Sequence, residues 1–110
     1  MGMMQRMLGT RTQALSASLS TGNIYGSATS GMITTLQVVC GAVGGTGAYT
    51  YSWTRVSGSG LIFADSPSSA ATTFSYNAPG NQIAVFKCTV SDGVTSVDAV
   101  PHVEVTMERT

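Results

Sequence analysis

Two cysteines, each in a short run where apolar and polar residues alternate, constrain the fold more than any other feature of the chain. Cys40 lies in LQVVCG and Cys88 lies in VFKCTV. Residues two apart in a β-strand point to the same side of the sheet, so Cys40 shares a side with Val38. By the same rule Cys88 shares a side with Phe86. The single tryptophan, Trp53, lies 13 residues after Cys40 in a third alternating run. We therefore expect both sulfur atoms and the indole in one core.

The rest of the chain shows the same alternation, and good helix formers are few. Strands are predicted at 13–20, 32–43, 49–56, 61–64, 71–78, 82–90 and 94–108. Residues 21–31, which are rich in turn formers, are predicted to connect the first two. Asp92-Gly93 predicts a two-residue hairpin. Pro101 cannot donate to a strand ladder, so the last strand is expected to be an edge there or to change partner. About seven short strands with turn residues between them predict an all-β, two-sheet antiparallel sandwich.

Length and charge limit the class of protein. The 110 residues are enough for one domain, which we place at 13–110 behind an arm at 1–12. Five basic and five acidic side chains give a net charge of zero. This balance does not favour binding to nucleic acid or to an anionic membrane. No apolar run approaches the roughly 20 residues that a membrane-spanning helix needs.

The first twelve residues are basic and rich in methionine. They hold four of the six methionines and two arginines, but no acidic residue. We interpret them as an arm that binds a partner, burying Met3, Met4 and Met7 while Arg6 and Arg11 meet acidic groups. A frayed terminus is the alternative. The two arginines interrupt the apolar stretch that a signal peptide requires, so we expect the protein to be assembled in the cytoplasm.

Few residues suggest chemistry. His102 and Glu104 share one side of the last predicted strand, where a solvent-facing surface accounts for them better than an acid–base pair. Two cysteines and one histidine without a CxxC motif are too few for a metal site, and no cofactor is expected. Catalysis is not expected either. Tyr25 and Tyr49 lie at predicted loop boundaries and are the candidate contact residues.

The spacing of Cys40, Trp53 and Cys88 resembles the immunoglobulin-like sandwich, in which two cysteines face each other across the core beside a tryptophan. The resemblance implies that these three residues meet in the core with Phe86. Many members of the family have a hydrogen-bonded tyrosine at the position of Phe86, which has no hydroxyl. An oxidised pair would close a loop of about 50 residues, worth about 4 kcal/mol. The missing signal peptide favours reduced thiols, and the sequence is compatible with both states.

Residues 44–93 resemble a more specific kind of module, the immunoglobulin-like or PKD-like domains of bacterial surface proteins and tailed-phage virion proteins. The resemblance lies in the glycine turn before Tyr51-Ser52-Trp53, in ATTFSY and in FKCTVSDG. It implies a non-enzymatic virion protein, either a capsid decoration protein or an accessory subunit of the tail or baseplate. Its partners would be other virion proteins and copies of itself. The alternative is a cell-surface adhesion module that binds glycan through loops 44–49 and 92–95.

Overall fold

The strands follow the predicted alternation. The structure, a computed structural model, describes residues 13–109, which contain eleven strands and no helix. The strands are β1 (Ser16–Leu19), β2 (Asn23–Ala28), β3 (Ile33–Thr34), β4 (Val38–Val43), β5 (Thr50–Gly58), β6 (Ile62–Ala64), β7 (Ala71–Thr72), β8 (Phe74–Tyr76), β9 (Gln82–Ser91), β10 (Ser96–Asp98) and β11 (Val103–Arg109). Three of the seven predicted strands are each divided in two, as β3 and β4, β7 and β8, and β10 and β11, and β2 lies in a predicted connection, which together give eleven. The all-β sandwich predicted from the sequence is confirmed, and its strands pair antiparallel except for β2 with β11.

The long strand β9 is the centre of the larger sheet. It pairs antiparallel with β5 along one edge, from Ala84 to Ser91. Its other edge pairs with β11 near Gln82 and with β10 near Ser91. The strand β2 extends this sheet by pairing parallel with β11. The larger sheet therefore places residues from both ends of the described chain side by side.

The second layer is built from interrupted strands. β1 pairs with β4, which pairs with β7, while β8 lies between β3 and β6. The gap between β3 and β4 leaves Leu36 79% exposed, contrary to the predicted continuous strand over 32–43. Thr35 holds this gap together, because its backbone N–H donates to the carbonyl of Phe74 and its hydroxyl accepts from the Phe74 N–H.

The core lies between the two layers and takes side chains from both. Its buried members are Leu19, Ile33, Val38, Cys40, Trp53, Ile62, Phe74, Tyr76, Ala84, Phe86, Cys88, Val90, Ala99, Val103, Val105 and Met107. Phe74 joins the layers, because its ring meets Trp53 edge-on at 5.9 Å between centroids and Phe86 at 4.8 Å. The edge-to-face pair of Phe74 with Trp53 adds about 0.5–1.5 kcal/mol to the burial of the rings.

Three local predictions need correction or detail. Residues 21–31 are not all turn, because the parallel pairing with β11 orders β2. The predicted two-residue hairpin is a four-residue loop, closed by the Asp92 N–H donating to the Thr95 carbonyl at 3.0 Å. The last predicted strand is interrupted at Pro101. Just before it, Val100 hydrogen-bonds to β1 of the other layer.

Candidate functional site

The two cysteines and the tryptophan occupy the centre of the core. Cys40 and Cys88 are both buried in this core, and no disulfide bond links them. Burial raises the pKa of Cys40, and it raises the pKa of Cys88 to about 12 with a contribution from Cys40. Trp53 is 4% exposed and its indole N–H donates to the carbonyl of Ser69 at 2.7 Å. Protonated, buried thiols are poor nucleophiles, so this cluster is structural.

Loops 44–49 and 92–95 lie together at one end of the sandwich, and Asp92 ties them. Its side chain accepts from the backbone N–H groups of Val94 at 2.8 Å, Thr95 at 2.7 Å and Thr46 at 3.1 Å. These backbone hydrogen bonds, led by those from Thr95 and Val94, lower the pKa of Asp92. The carboxylate is therefore engaged within the protein and is not free to bind a ligand.

A groove of about 360 Å³ opens at this end, which we call the loop pole. It is lined by residues 13–15, 45–46, 92 and 94–95. Gln13 is held there, because its carbonyl accepts from the Gly45 N–H at 2.7 Å. Val94 stands 79% exposed at the groove. Residues 1–12 are consequently attached to the domain at the loop pole.

The two predicted contact tyrosines do not come together. Tyr49 is half-buried at the loop pole, and its hydroxyl donates to the Gly44 carbonyl at 2.8 Å. Tyr25 is not at a loop boundary. It lies within β2 and is 65% exposed. Strand pairing places Tyr25 level with Ile83, with Thr106 of β11 between them. Ile83 is eight residues along β9 from Ser91, so Tyr25 lies roughly 26 Å from the loop pole.

The predicted arm residues Met3, Met4, Arg6, Met7 and Arg11 lie outside the described residues. Among those described, no three His, Cys, Asp or Glu side chains are grouped so that they could hold a metal ion. His102 and Glu104 are both exposed. Residues 13–109 include no helix with the length and apolar character to cross a membrane.

The structure adds a surface that sequence reasoning missed. Tyr25, Thr106 and Ile83 form one row on the outer side of β2, β11 and β9, between Glu104 and Glu108. Alternation places each of these residues on the outer side of its own strand. Only the pairing of three strands that are distant in sequence places them together.

Comparison of the sequence with protein-family models and with curated proteins found no match.

Proposed function

We propose that this protein is a non-enzymatic structural subunit of a tailed-phage virion, acting as a capsid decoration protein or as an accessory subunit of the tail or baseplate. The resemblance of residues 44–93 to modules of such proteins suggests the class. The observation that supports docking through residues 1–12 is the unequal distribution of charge between this segment and the domain. Residues 1–12 carry two basic and no acidic side chains, and residues 13–110 carry three basic and five acidic ones.

The attachment of residues 1–12 to the loop pole supports docking through this segment. Asp92 fixes the two loops, and Gln13 is hydrogen-bonded to one of them. A binding segment that starts from a fixed point loses less freedom on docking than one that starts from a mobile point. Met3, Met4 and Met7 would supply apolar contact, and Arg6 and Arg11 would pair with acidic groups of the particle.

The three aspartate side chains are engaged in contacts within the domain, which agrees with a non-enzymatic role. Asp65 accepts from the hydroxyls of Thr73 and Ser75, at 2.5 and 2.8 Å. Asp98 accepts from Thr89 at 2.7 Å and pairs with Lys87 at 3.2 Å. These acids and Asp92 brace the sandwich. Contacts repeated over many copies on a particle then give avidity without a strong single site.

The test is to purify particles by density gradient from the cells that carry the gene and to probe the fractions for a tagged chain. We expect the full chain to band with the particles. A variant without residues 1–12 is expected to stay at the top of the gradient, although its domain still folds as judged by circular dichroism. Absence of the full chain from every particle fraction would overturn the proposal.

One observation favours a second function, a glycan-binding adhesion module. Residues of loops 44–49 and 92–95 share a pole and line the groove, and Tyr49 is hydrogen-bonded to Gly44, which is adjacent in sequence to the lining residue Gly45. Aromatic side chains at such a groove offer a stacking surface for a sugar ring. A glycan-array signal that is lost in Tyr49→Ala and kept in Tyr25→Ala would support this function, while no signal from the full chain would exclude it.

A further inference from the structure

One end of the larger sheet presents an apolar row to solvent. Tyr25 lies opposite Thr106, and Thr106 lies opposite Ile83, so the three side chains stand side by side on the outer surface. Neighbouring strands are about 4.8 Å apart, which makes the row roughly 10 Å wide. Tyr25 is 65% exposed and Ile83 is 50% exposed.

Two glutamates flank this row. Glu104 and Glu108 lie two residues before and two residues after Thr106 on β11, so they point to the same outer side about 13 Å apart. Both are exposed, and neither has a salt-bridge partner within residues 13–109. We call Tyr25, Ile83, Thr106, Glu104 and Glu108 the acidic face. It combines apolar contact area with two negative charges that no neighbouring cation neutralises.

Residues 1–12 are complementary to this face in both respects. Methionine side chains adapt to uneven apolar surfaces and contact aromatic rings favourably, and Tyr25 and Ile83 offer such a surface. Arginine binds carboxylate through charge-assisted hydrogen bonds. Arg6 and Arg11 are five residues apart, a distance of at most roughly 17 Å along the chain. That distance is sufficient for each to meet one of the two glutamates.

The direction of the chain at Gln13 favours the acidic face of another copy. β1 pairs antiparallel with β4, and Gln13 lies beyond Ser16 at the loop pole. Followed from Leu19 back to Gln13, the backbone therefore runs toward the loop pole. The acidic face of the same copy lies in the opposite direction, near the far end of β9. A neighbour placed end to end has its acidic face on the outer side of the sheet near the contacting end, where a segment of twelve residues, at most roughly 40 Å long, can reach it.

We infer that residues 1–12 of one copy bind the acidic face of a second copy, so that copies associate head to tail. This inference rests on the proposed function and makes it specific: the acidic groups of the particle that Arg6 and Arg11 meet are those of a neighbouring copy of this protein. Each copy offers one segment and one face, so the interface is heterologous and growth continues past the dimer unless a ring closes. Association is expected to weaken as salt rises, because the paired charges are exposed.

Sedimentation velocity of the purified full chain tests the inference over a wide range of concentration. We expect larger species to accumulate as the concentration rises. The double variant Glu104→Arg/Glu108→Arg is expected to weaken association about tenfold, as loss and reversal of two exposed charge pairs implies. Thr50→Arg/Ser52→Arg is the matched control. It adds two arginines to the outer side of the same sheet at the loop-pole end, and association should persist.

A charge exchange tests the pairing itself. Arg6→Glu/Arg11→Glu is expected to weaken association as much as Glu104→Arg/Glu108→Arg does. A chain that carries all four substitutions should regain association, because its segment is then acidic and its face basic. If this combined variant has a native circular dichroism spectrum but does not associate, the pairing of the two arginines with the two glutamates is wrong.

Mixing two defective chains tests whether the contact joins different copies. A chain without residues 1–12 retains its acidic face, and Glu104→Arg/Glu108→Arg retains its segment. At a concentration where the parent chain associates and the weakened variant does not, each should be monomeric alone, and the mixture should give a one-to-one complex that grows no further. A mixture that stays monomeric overturns the inference.

The outcomes also separate this inference from the proposed function. A full chain that stays monomeric in solution but bands with particles contradicts head-to-tail docking and leaves the virion role standing. A full chain that associates through the acidic face but is absent from every particle contradicts the virion role alone.

Discussion

Asp92 and Thr46 join the two loops of the loop pole through two hydrogen bonds, both donated by Thr46 and accepted by Asp92. The Thr46 N–H donates to the Asp92 carboxylate at 3.1 Å, and the Thr46 hydroxyl donates to the Asp92 carbonyl at 2.9 Å. The two residues are 46 positions apart in the chain. This long-range link fixes loop 44–49, whose Gly45 N–H donates to the Gln13 carbonyl, so the position of Gln13 depends on the Asp92 side chain.

We expect stability to fall in acid because of this carboxylate. Backbone hydrogen bonds hold the pKa of Asp92 below its ordinary value of about 3.9. Its contribution is therefore complete at neutral pH, and it is lost as the pH falls from about 4 through the lower folded-state pKa. Urea unfolding at a series of pH values measures this loss.

Asp92→Asn is the variant that checks the assignment. The substitution removes the titrating group and leaves an amide N–H₂ that cannot accept from the Thr46 N–H. We expect lower stability at neutral pH together with a shallower decline in acid. Identical acid slopes for the variant and the parent chain would show that Asp92 does not account for the pH dependence.

Trp53 should be among the most costly core residues to truncate. It is buried, contacts Phe74 edge-on and donates to the Ser69 carbonyl. Trp53→Ala is expected to cost about 3–5 kcal/mol from lost contacts and a cavity. Circular dichroism in urea measures this without the indole fluorescence. Val94→Ala, at an exposed site, is the control and should change stability by about 0.5 kcal/mol or less.

Oxidation of Cys40 and Cys88 should stabilise the fold, because both are buried in the same core cluster. A bond between them closes a loop of about 50 residues, worth about 4 kcal/mol in the chain-entropy model. Treatment with oxidised glutathione during refolding, followed by thiol titration and urea unfolding, measures the gain. Cys40→Ala/Cys88→Ala is the control for the oxidant. If the disulfide-bonded form is no more stable than the reduced form, strain in the folded state offsets the entropy that the bond removes from the unfolded chain.

Gly58 is needed where β5 lies against β9. Its φ of +90° is unfavourable for other residues, and a Cβ there would lie 2.7 Å from the Ala84 Cα. Gly93 has nearly the same φ, +91°, but open space around it. Gly93→Ala measures the conformational strain alone, about 1 kcal/mol. Gly58→Ala should cost about 1–3 kcal/mol more, since backbone must move. Equal costs in thermal unfolding would contradict the close approach.

The core could be predicted from the sequence because its signal is local. Strand alternation alone places Cys40, Trp53 and Cys88 on inner sides, and all three are buried. Alternation predicts that Leu36 lies on the same inner side as Val38. This prediction is wrong, because β3 and β4 separate there and the Leu36 side chain is exposed. The sequence pattern also did not predict β2, because Gly26 within it is typical of a turn-rich connection. That glycine lies where Ile33 and Met107 pack closely, so it reflects the packing of the core and not a turn.

The candidate surfaces could not be predicted, because each depends on how distant strands pair. Asp92 and Thr46 belong to different loops, and only the topology places those loops at one pole. The acidic face likewise needs the parallel pairing of β2 with β11 and the register between Ile83 and Thr106. Periodicity identifies the outward residues of each strand but contains no information about which strands become neighbours.

The number of copies of this protein per purified particle, measured by quantitative mass spectrometry, tests the central claim most directly. The full chain should be present in a fixed ratio to the major structural protein, and deletion of residues 1–12 should reduce that ratio to background. An undiminished ratio after the deletion would contradict docking through residues 1–12. Particles that lack the full chain altogether would contradict the virion role.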